Sequence, residues 1–352
     1  MPTNQPDELA AGSPKPEKHK LAGNLIKYGI PLVITVGLCW LLFHNINFSE
    51  MMEIIRRDCN FWWIGLALLI SIFSHVFRAM RWRIQLRALN INASLWDTTL
   101  SIFGTYAVNL VLPRLGEVWR TGYIAKRQDA PFSKVFGSMV ADRLADTVTV
   151  LLLTVVTFLL ATSQLSDYLG QNSESYLRIL DWLTSPWLWL AGVACIAFAW
   201  WFLAHKSDNK AVVKIQSFFK GLWVGFAAIA RMKGKGRWLL LTFCIWGCYF
   251  TQLYVAFYAF GFTEDILSHY GILAALVTFV LSSISMGVPS NGGIGPWQWS
   301  VIFALGLYGL AQGPATAFAN LVMGCQTLLL ILLGLFTFVC IAFDNKNRNS
   351  NS

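Results

Sequence analysis

From Leu25 onward the chain alternates long apolar runs with short polar links. The runs have the length a helix needs to cross a bilayer, about 20 residues for roughly 30 Å of hydrocarbon. Six read as complete spans: Leu25–Phe43, Phe61–Met80, Leu144–Ala161, Trp187–Ala204, Trp238–Phe260 and Ala315–Phe343. Aromatic clusters mark several ends, among them Phe61-Trp62-Trp63, Trp187 with Trp189, Trp200-Trp201 and Trp238, as amphipathic rings do at headgroup depth. Three apolar stretches are weaker, Leu95–Leu112, Gly271–Val288 and Trp297–Leu310. Residues 1–24 hold Lys15, Lys18 and Lys20 with several prolines and no apolar core. They are expected to be a disordered basic cytoplasmic tail without the build of a cleaved signal peptide. Residues 344–352 read as a second polar cytoplasmic tail.

Basic residues in short links mark the cytoplasmic side, because their translocation is disfavoured. The N-terminal tail, the link with Arg78, Arg81, Arg83 and Arg87, and the link His205–Arg237 therefore lie inside, and Lys346 and Arg348 place the C-terminus there too. Within the third link, Lys210–Arg231 mixes Ile215, Phe218, Phe219 and Leu222 with Lys214 and Lys220 and reads as an amphipathic surface helix. The segments with Asp167, Glu174 and Asp181, and with Glu264 and Asp265, are acid-rich and read as outside. Leu95–Leu112 has basic clusters at both ends, so a full crossing would strand one of them outside. A re-entrant segment removes the conflict. The same reasoning makes Gly271–Leu310, broken by residues 288–296, a hairpin dipping from the other face. Each half of residues 25–343, divided at 186/187, then holds span, span, hairpin and span, and the second half is inverted. Pro113 follows Phe61 by 52 residues and Pro289 follows Trp238 by 51. The expected fold is an all-α polytopic membrane bundle, about six full spans plus two re-entrant hairpins in an inverted repeat of the kind secondary transporters use.

Composition agrees. Hydrophobic residues make up 56% of the chain and charged ones 13%, against about 25% charged in soluble domains, which excludes a soluble enzyme. The seven cysteines are scattered through mostly apolar runs. Cys244 and Cys248 are one turn apart but have no further ligand beside them, so they read as packing residues. No P-loop, zinc pattern, G-x-S-x-G or dinucleotide fingerprint is present. No metal, cofactor or nucleic-acid partner is expected, and transport would run downhill or on an ion gradient or the membrane potential.

Polar constellations within apolar surroundings carry the candidate chemistry, since an ionised group in lipid is costly without a partner or cavity. The first is Asn109, Pro113, Arg114, Gly116, Glu117 and Arg120. Glu117 and Arg120 are spaced to pair, and Arg114 and Arg120 offer forked donors suited to phosphate. The second is Asp142-Arg143-Leu144-Ala145-Asp146, whose acids share a helix face and whose Arg143 is spaced to pair with Asp146. Its bland reading is a helix N-terminus whose acids complement the dipole. The third is Pro289 to Gln298, where Asn291, Gly292, Gly293 and Gly295 allow close backbone approach to an anion. Finally, Arg78, Arg81 and Arg83 close the second span around Trp82, either as cytoplasmic anchors or as a collector of anionic headgroups.

The combination Arg81-Trp82-Arg83, Asn109 with Leu112-Pro113-x-x-Gly116-Glu117-x-x-Arg120, Arg143-x-x-Asp146 and Pro289-x-x-Gly292-Gly293-Ile294-Gly295 resembles the lysylphosphatidylglycerol synthase transmembrane family, the flippase-like domain of multiple peptide resistance factors. The resemblance covers Leu25 to Phe343. It departs at Asp142, where the family often has Glu, and at Asn291 and Gln298, where a Pro and a Glu are usual; the change at Gln298 removes a charge. The resemblance implies a bacterial or archaeal inner-membrane protein, here expected in the bacterial cytoplasmic membrane, that moves an anionic or aminoacylated phospholipid or a polyprenyl phosphate between leaflets. It binds through the residues named above, with Glu117 and Asp146 the candidates for coupling to protons. No soluble synthase domain follows the last span, so lysyl transfer is not expected and the chain reads as a transporter, not an enzyme. The expected partners are membrane phospholipids, a second copy of the chain and a separate lipid-modifying enzyme. The competing readings are a membrane-embedded lipid or polyprenyl-phosphate transferase, a small-anion exporter and an accessory membrane subunit.

Overall fold

Backbone groups in hydrocarbon must find hydrogen-bond partners within their own segment, and every regular element among the described residues is accordingly a helix. The computed structural model describes residues 48–112, 114–161, 232–288 and 290–350 and the single positions 186, 190, 216 and 227. The spans Leu25–Phe43 and Trp187–Ala204, the amphipathic stretch Lys210–Arg231, the acid-rich segment 167–181, both prolines at 113 and 289, and the tail 1–24 lie outside the described residues.

The remaining four spans are each one helix: α2 (Phe61–Ala88), α5 (Phe132–Leu160), α6 (Lys235–Phe257) and α10 (Gln312–Ser350). These four are long and apolar enough to cross a bilayer; the described residues have a fifth if the bent pair α7 (Gly261–Tyr270) and α8 (Ile272–Ser285), which meet at 111°, counts as one. A short α1 (Phe48–Asp58) leads into α2, and their junction is pinned by Asn60 N donating to Ala259 O at 2.7 Å. Asn60 also caps α2 through its side chain, which accepts from Trp62 N.

Three elements run further than their apolar runs. α2 continues through Arg81-Trp82-Arg83 to Ala88, α5 begins at Phe132 rather than near Leu144, and α10 carries the expected C-terminal tail on as helix to Ser350. Helix propagation adds one hydrogen bond per residue fixed, so hydrophobicity does not set these ends. One polar partner lies along the α10 extension, where Asp344 is bonded by Arg127.

The first weak stretch is a helical hairpin. α3 (Leu95–Val111) and α4 (Leu115–Arg127) pack against each other, and at about 1.5 Å per residue they are roughly 25 and 20 Å long, short of the ~30 Å hydrocarbon. Ser94 starts α3 by accepting from Asp97 N. At the turn Asn109 Oδ1 accepts from Gly116 N at 2.7 Å, and a Cβ on Gly116 would lie 2.1 Å from Thr105 O, so only glycine lets the two helices close. α8 and α9 (Pro296–Leu307) form the second hairpin, held by Ser300 Oγ donating to Ser285 Oγ at 2.9 Å. The two turns touch. Gly292 N donates to Asn109 O at 3.2 Å, and Arg114 Nη2 donates to Gly287 O at 2.8 Å.

Two apolar clusters organise the interior. The larger gathers Phe257, Phe260, Val301, Leu305 and Phe318 and reaches α2 at Ala67; the smaller surrounds Trp82, Leu86, Ile102, Ile124, Val135 and Met139 and starts on α2 at Ala79. Between them α2 turns Ser71, Ser74, His75 and Arg78 inward, each at most 4% exposed. With Arg81 and Gln85 these positions recur at helical spacing and form one buried polar stripe.

Candidate functional site

The polar stripe of α2 meets α5 and α6 at its charged end. Arg81 Nε donates to Asp142 Oδ1 at 3.0 Å, its Nη2 donates to Asp146 Oδ1 at 2.7 Å, and its Nη1 reaches Thr242 on α6 at 3.3 Å. One turn earlier Arg78 Nη1 donates to Asp146 Oδ2 at 2.6 Å, while Nε and Nη2 both donate to the Tyr249 hydroxyl. Arg78, Arg81 and Asp142 have at most 4% of their side chains exposed. Charge-assisted bonds of this length are the strong ones, and they hold α2 and α5 in one register.

Arg120 enters from α4. Its side chain is 1% exposed, its guanidinium stacks 4.7 Å from the Trp82 ring, and the nearest carboxylate oxygen, Asp142 Oδ2, lies at 3.6 Å. Nε and Nη2 of Arg120 make no hydrogen bond. A buried charged donor left without an acceptor costs more than the usual 1–3 kcal/mol or so of an unsatisfied neutral one, and the open edge of Arg120 has the donor geometry to take an anion. The Trp82 indole is fixed in turn by donating to Ser138 Oγ at 3.1 Å.

The expected residues sort into three places. Arg78, Arg81, Arg120, Arg143 and Asp146 share the cluster, Arg143 standing 3.3 Å from Asp146 with 35% of its side chain exposed. Asn109, Arg114 and Glu117 are at the first turn instead. Glu117 accepts from Asn109 Nδ2 at 3.2 Å, and no Glu117–Arg120 ion pair is among the described contacts; Asn109, engaged by Gly116, draws the carboxylate to the turn. Arg114 Nη2 holds two carbonyls of the facing turn, Met286 O and Gly287 O. Asn291, Gly292, Gly293, Gly295 and Gln298 form the second turn, where Gln298 Oε1 accepts from Gly295 N at 2.8 Å and Nε2 donates to Asn320. Arg83 is outside all three: its Nε donates to Ala93 O at 3.0 Å and ties α2 to the start of α3.

Two residues carry more than sequence reasoning assigned. Asp142 is fully buried and faces Arg78, Arg81, Arg120 and Arg143 within 4 Å. Since α5 begins at Phe132, Asp142 is well inside the helix, where the dipole no longer favours an acid; the cluster explains it. His75, 3% exposed, stacks 4.5 Å from the Tyr106 ring, and its Nδ1 has no partner. Its one available signal was the spacing to Arg78 and Arg81 on the same face. Among the described residues no group of three His, Cys, Asp or Glu could hold a metal ion.

The family described as lysylphosphatidylglycerol synthase TM region matches residues 29–334. A UPF0104 membrane protein of Pyrococcus horikoshii is 27% identical over 298 residues, 79% of this chain and 85% of that protein. A UPF0104 membrane protein of Methanocaldococcus jannaschii is 22% identical over 198 residues, 55% of each chain. No solved structure matches.

Proposed function

Because the chain belongs to the lysylphosphatidylglycerol synthase TM region family, we propose that this multi-pass membrane protein translocates a phospholipid or lipid-linked carrier between leaflets. The two hairpins, too short to span, are re-entrant segments entering from opposite faces of the bacterial cytoplasmic membrane with both chain termini inside, and their touching turns lie near the midplane. The observation that carries the reading is the partnerless edge of Arg120, buried beside two arginines and two aspartates. Moving a headgroup through hydrocarbon requires polar, anion-compatible groups along the way while the acyl tails stay in lipid. A guanidinium edge meets phosphate oxygens with parallel donors. Arg78 and Arg81, already bonded to Asp142 and Asp146, hold the cluster in place and leave Arg120 to the substrate.

Reconstitution into liposomes tests this. Headgroup-labelled phospholipid and undecaprenyl phosphate are followed by dithionite accessibility with wild type, Arg120→Ala and Asp146→Asn. Both variants should slow translocation by roughly tenfold or more, since a hydrogen bond to a charged group is worth about 1.5–3 kcal/mol. Equal rates for all three proteins would remove the assignment.

A further inference from the structure

The second hairpin closes on α10 through neutral groups whose bonding can be followed atom by atom. Gly295 N–H can only donate, so the Gln298 atom it meets at 2.8 Å is the amide oxygen Oε1. The Gln298 nitrogen is then the end that donates to Asn320 Oδ1 on α10, at 2.5 Å. This fixes the Asn320 amide in turn and leaves its Nδ2 buried without an acceptor. Asn291, at the start of the same turn, is the complement: its Oδ1 is buried without a donor. Asn320 is 9% exposed and Asn291 8%.

Ile294 N donates to Asn291 O at 3.1 Å, which folds Asn291 into the tight loop that Gln298 ties to α10. Methionine covers this loop. A Cβ on Gly293 would run into Met286 Sδ and lie 3.5 Å from Met323 Cε, and Met323 is one turn along α10 from Asn320. Thioether side chains rearrange easily, and Met286 is 45% exposed, so moving it opens the loop to its surroundings. A buried neutral donor and a buried neutral acceptor, each without a partner, are costly to keep. They also describe the group that would satisfy them. A phosphate brings only acceptors and an ammonium only donors, whereas a hydroxyl brings both.

We infer that the turn of the second hairpin is a hydroxyl subsite, in which Asn320 Nδ2 donates to, and Asn291 Oδ1 accepts from, the hydroxyl groups of a polyol or sugar moiety on the lipid headgroup. The inference rests on the translocator reading for its lipid and deepens it by naming the part of the headgroup that the second hairpin takes. Met286 moves aside to admit that part. A headgroup ending in an alkyl chain leaves both amides unpaired, and a site built to bond a hydroxyl rejects the analogue that lacks it.

The experiment compares phosphatidylglycerol with phosphatidylpropanol, which has the same phosphodiester charge and a headgroup of similar size but no hydroxyl. Two quantities are read for the purified full chain: lipid retained through detergent exchange, by native mass spectrometry, and translocation in liposomes. The wild type should retain phosphatidylglycerol about tenfold better, as expected of two neutral hydrogen bonds. Equal retention, the outcome if the two amides hold only water, would overturn the subsite. Asn291→Leu should bring the ratio to about one without lowering the thermal midpoint, because the Oδ1 it removes has no partner in the free protein. A lower midpoint with the ratio intact would make Asn291 a structural residue and overturn its assignment. Soluble glycerol separates the two sources of this chemistry. Loss of the preference only at large excess supports a headgroup site, whereas loss at a concentration equal to that of the lipid would overturn the lipid assignment. Equal retention with equal movement of both lipids would remove the subsite and leave translocation standing. Selective retention of phosphatidylglycerol without movement would keep the subsite and remove translocation.

Discussion

The two hairpins share a shape and divide the chemistry. Each consists of two helices too short to span, each turns on a glycine-bearing break, and the turns are bonded to one another through Asn109–Gly292 and Arg114–Gly287. The first hairpin reaches a charged cluster through Arg120. The second is lined by neutral groups: Gln298 closes on Gly295 N and Asn320, Ser300 bonds Ser285, and Asn291 Oδ1 is buried without a partner. Neutral amides and hydroxyls are much cheaper to bury than ions and select no sign of charge. On the proposed translocation, any preference for headgroup charge would reside on the first hairpin's side, while the second would offer a neutral polar lining.

Breaking the charged side should produce the largest effect. Asp142→Asn leaves Arg81 and Arg120 facing an uncharged amide, and an unbalanced buried ion cluster costs about 3–5 kcal/mol; the thermal midpoint in detergent should fall steeply. Gln298→Ala, the matching cut in the second hairpin, removes neutral bonds worth about 1 kcal/mol each. If the two substitutions cost the same, the contrast between the hairpins fails.

Next come the glycines. Gly116→Ala drives a methyl into Thr105 O, a backbone atom that cannot step aside, and overpacking of this kind costs about 1–3 kcal/mol. Gly292→Ala has a φ of 62° to sustain, but its added methyl meets only the end of the Leu110 side chain at 2.5 Å; about 1–2 kcal/mol is expected for the left-handed backbone. A smaller loss for Gly116→Ala than for Gly292→Ala, read as the fraction remaining monodisperse after heating, would mean the α3–α4 contact is looser than its geometry.

Arg114 gives a finer comparison. It sits at φ 66°, a left-handed conformation, while holding Gly287 O. Arg114→Gly and Arg114→Ala both lose that bond, yet the glycine variant relieves the backbone and should be more stable by about 1 kcal/mol. Equal stabilities would mean the turn relaxes when the side chain is gone. The smallest effect belongs to Gln298→Glu. Its Oε1 still accepts from Gly295 N, and rotation of the Asn320 amide lets the now partnerless Nδ2 donate to the new carboxylate; stability should change by less than about 1 kcal/mol.

Much of this was legible in residue order. The spans α2, α5, α6 and α10 follow from apolar runs, the breaks at 112–114 and 286–295 from proline and glycine, and Arg78, Arg81, Arg120, Arg143 and Asp146 from the cost of placing ions in oil. What failed was pairing. Glu117 and Arg120 are spaced as a helical pair, but Asn109 across the turn holds Glu117 and Asp142 faces Arg120. Arg114 looked like a phosphate ligand and holds carbonyls, and Arg83 looked like part of the basic cluster and points to Ala93. His75 was passed over because the Tyr106 ring it stacks on comes from another helix.

Periodicity and hydrophobic length depend only on neighbours along the chain, so the sequence alone determined that this is a helical membrane protein and where its helices break. Which arginine each aspartate neutralises, and therefore which one is left wanting an anion, depends on how α2, α4 and α5 are packed. Two carboxylates cannot satisfy four guanidinium groups, and only their arrangement in space decides that Arg120 is the one left without a hydrogen bond.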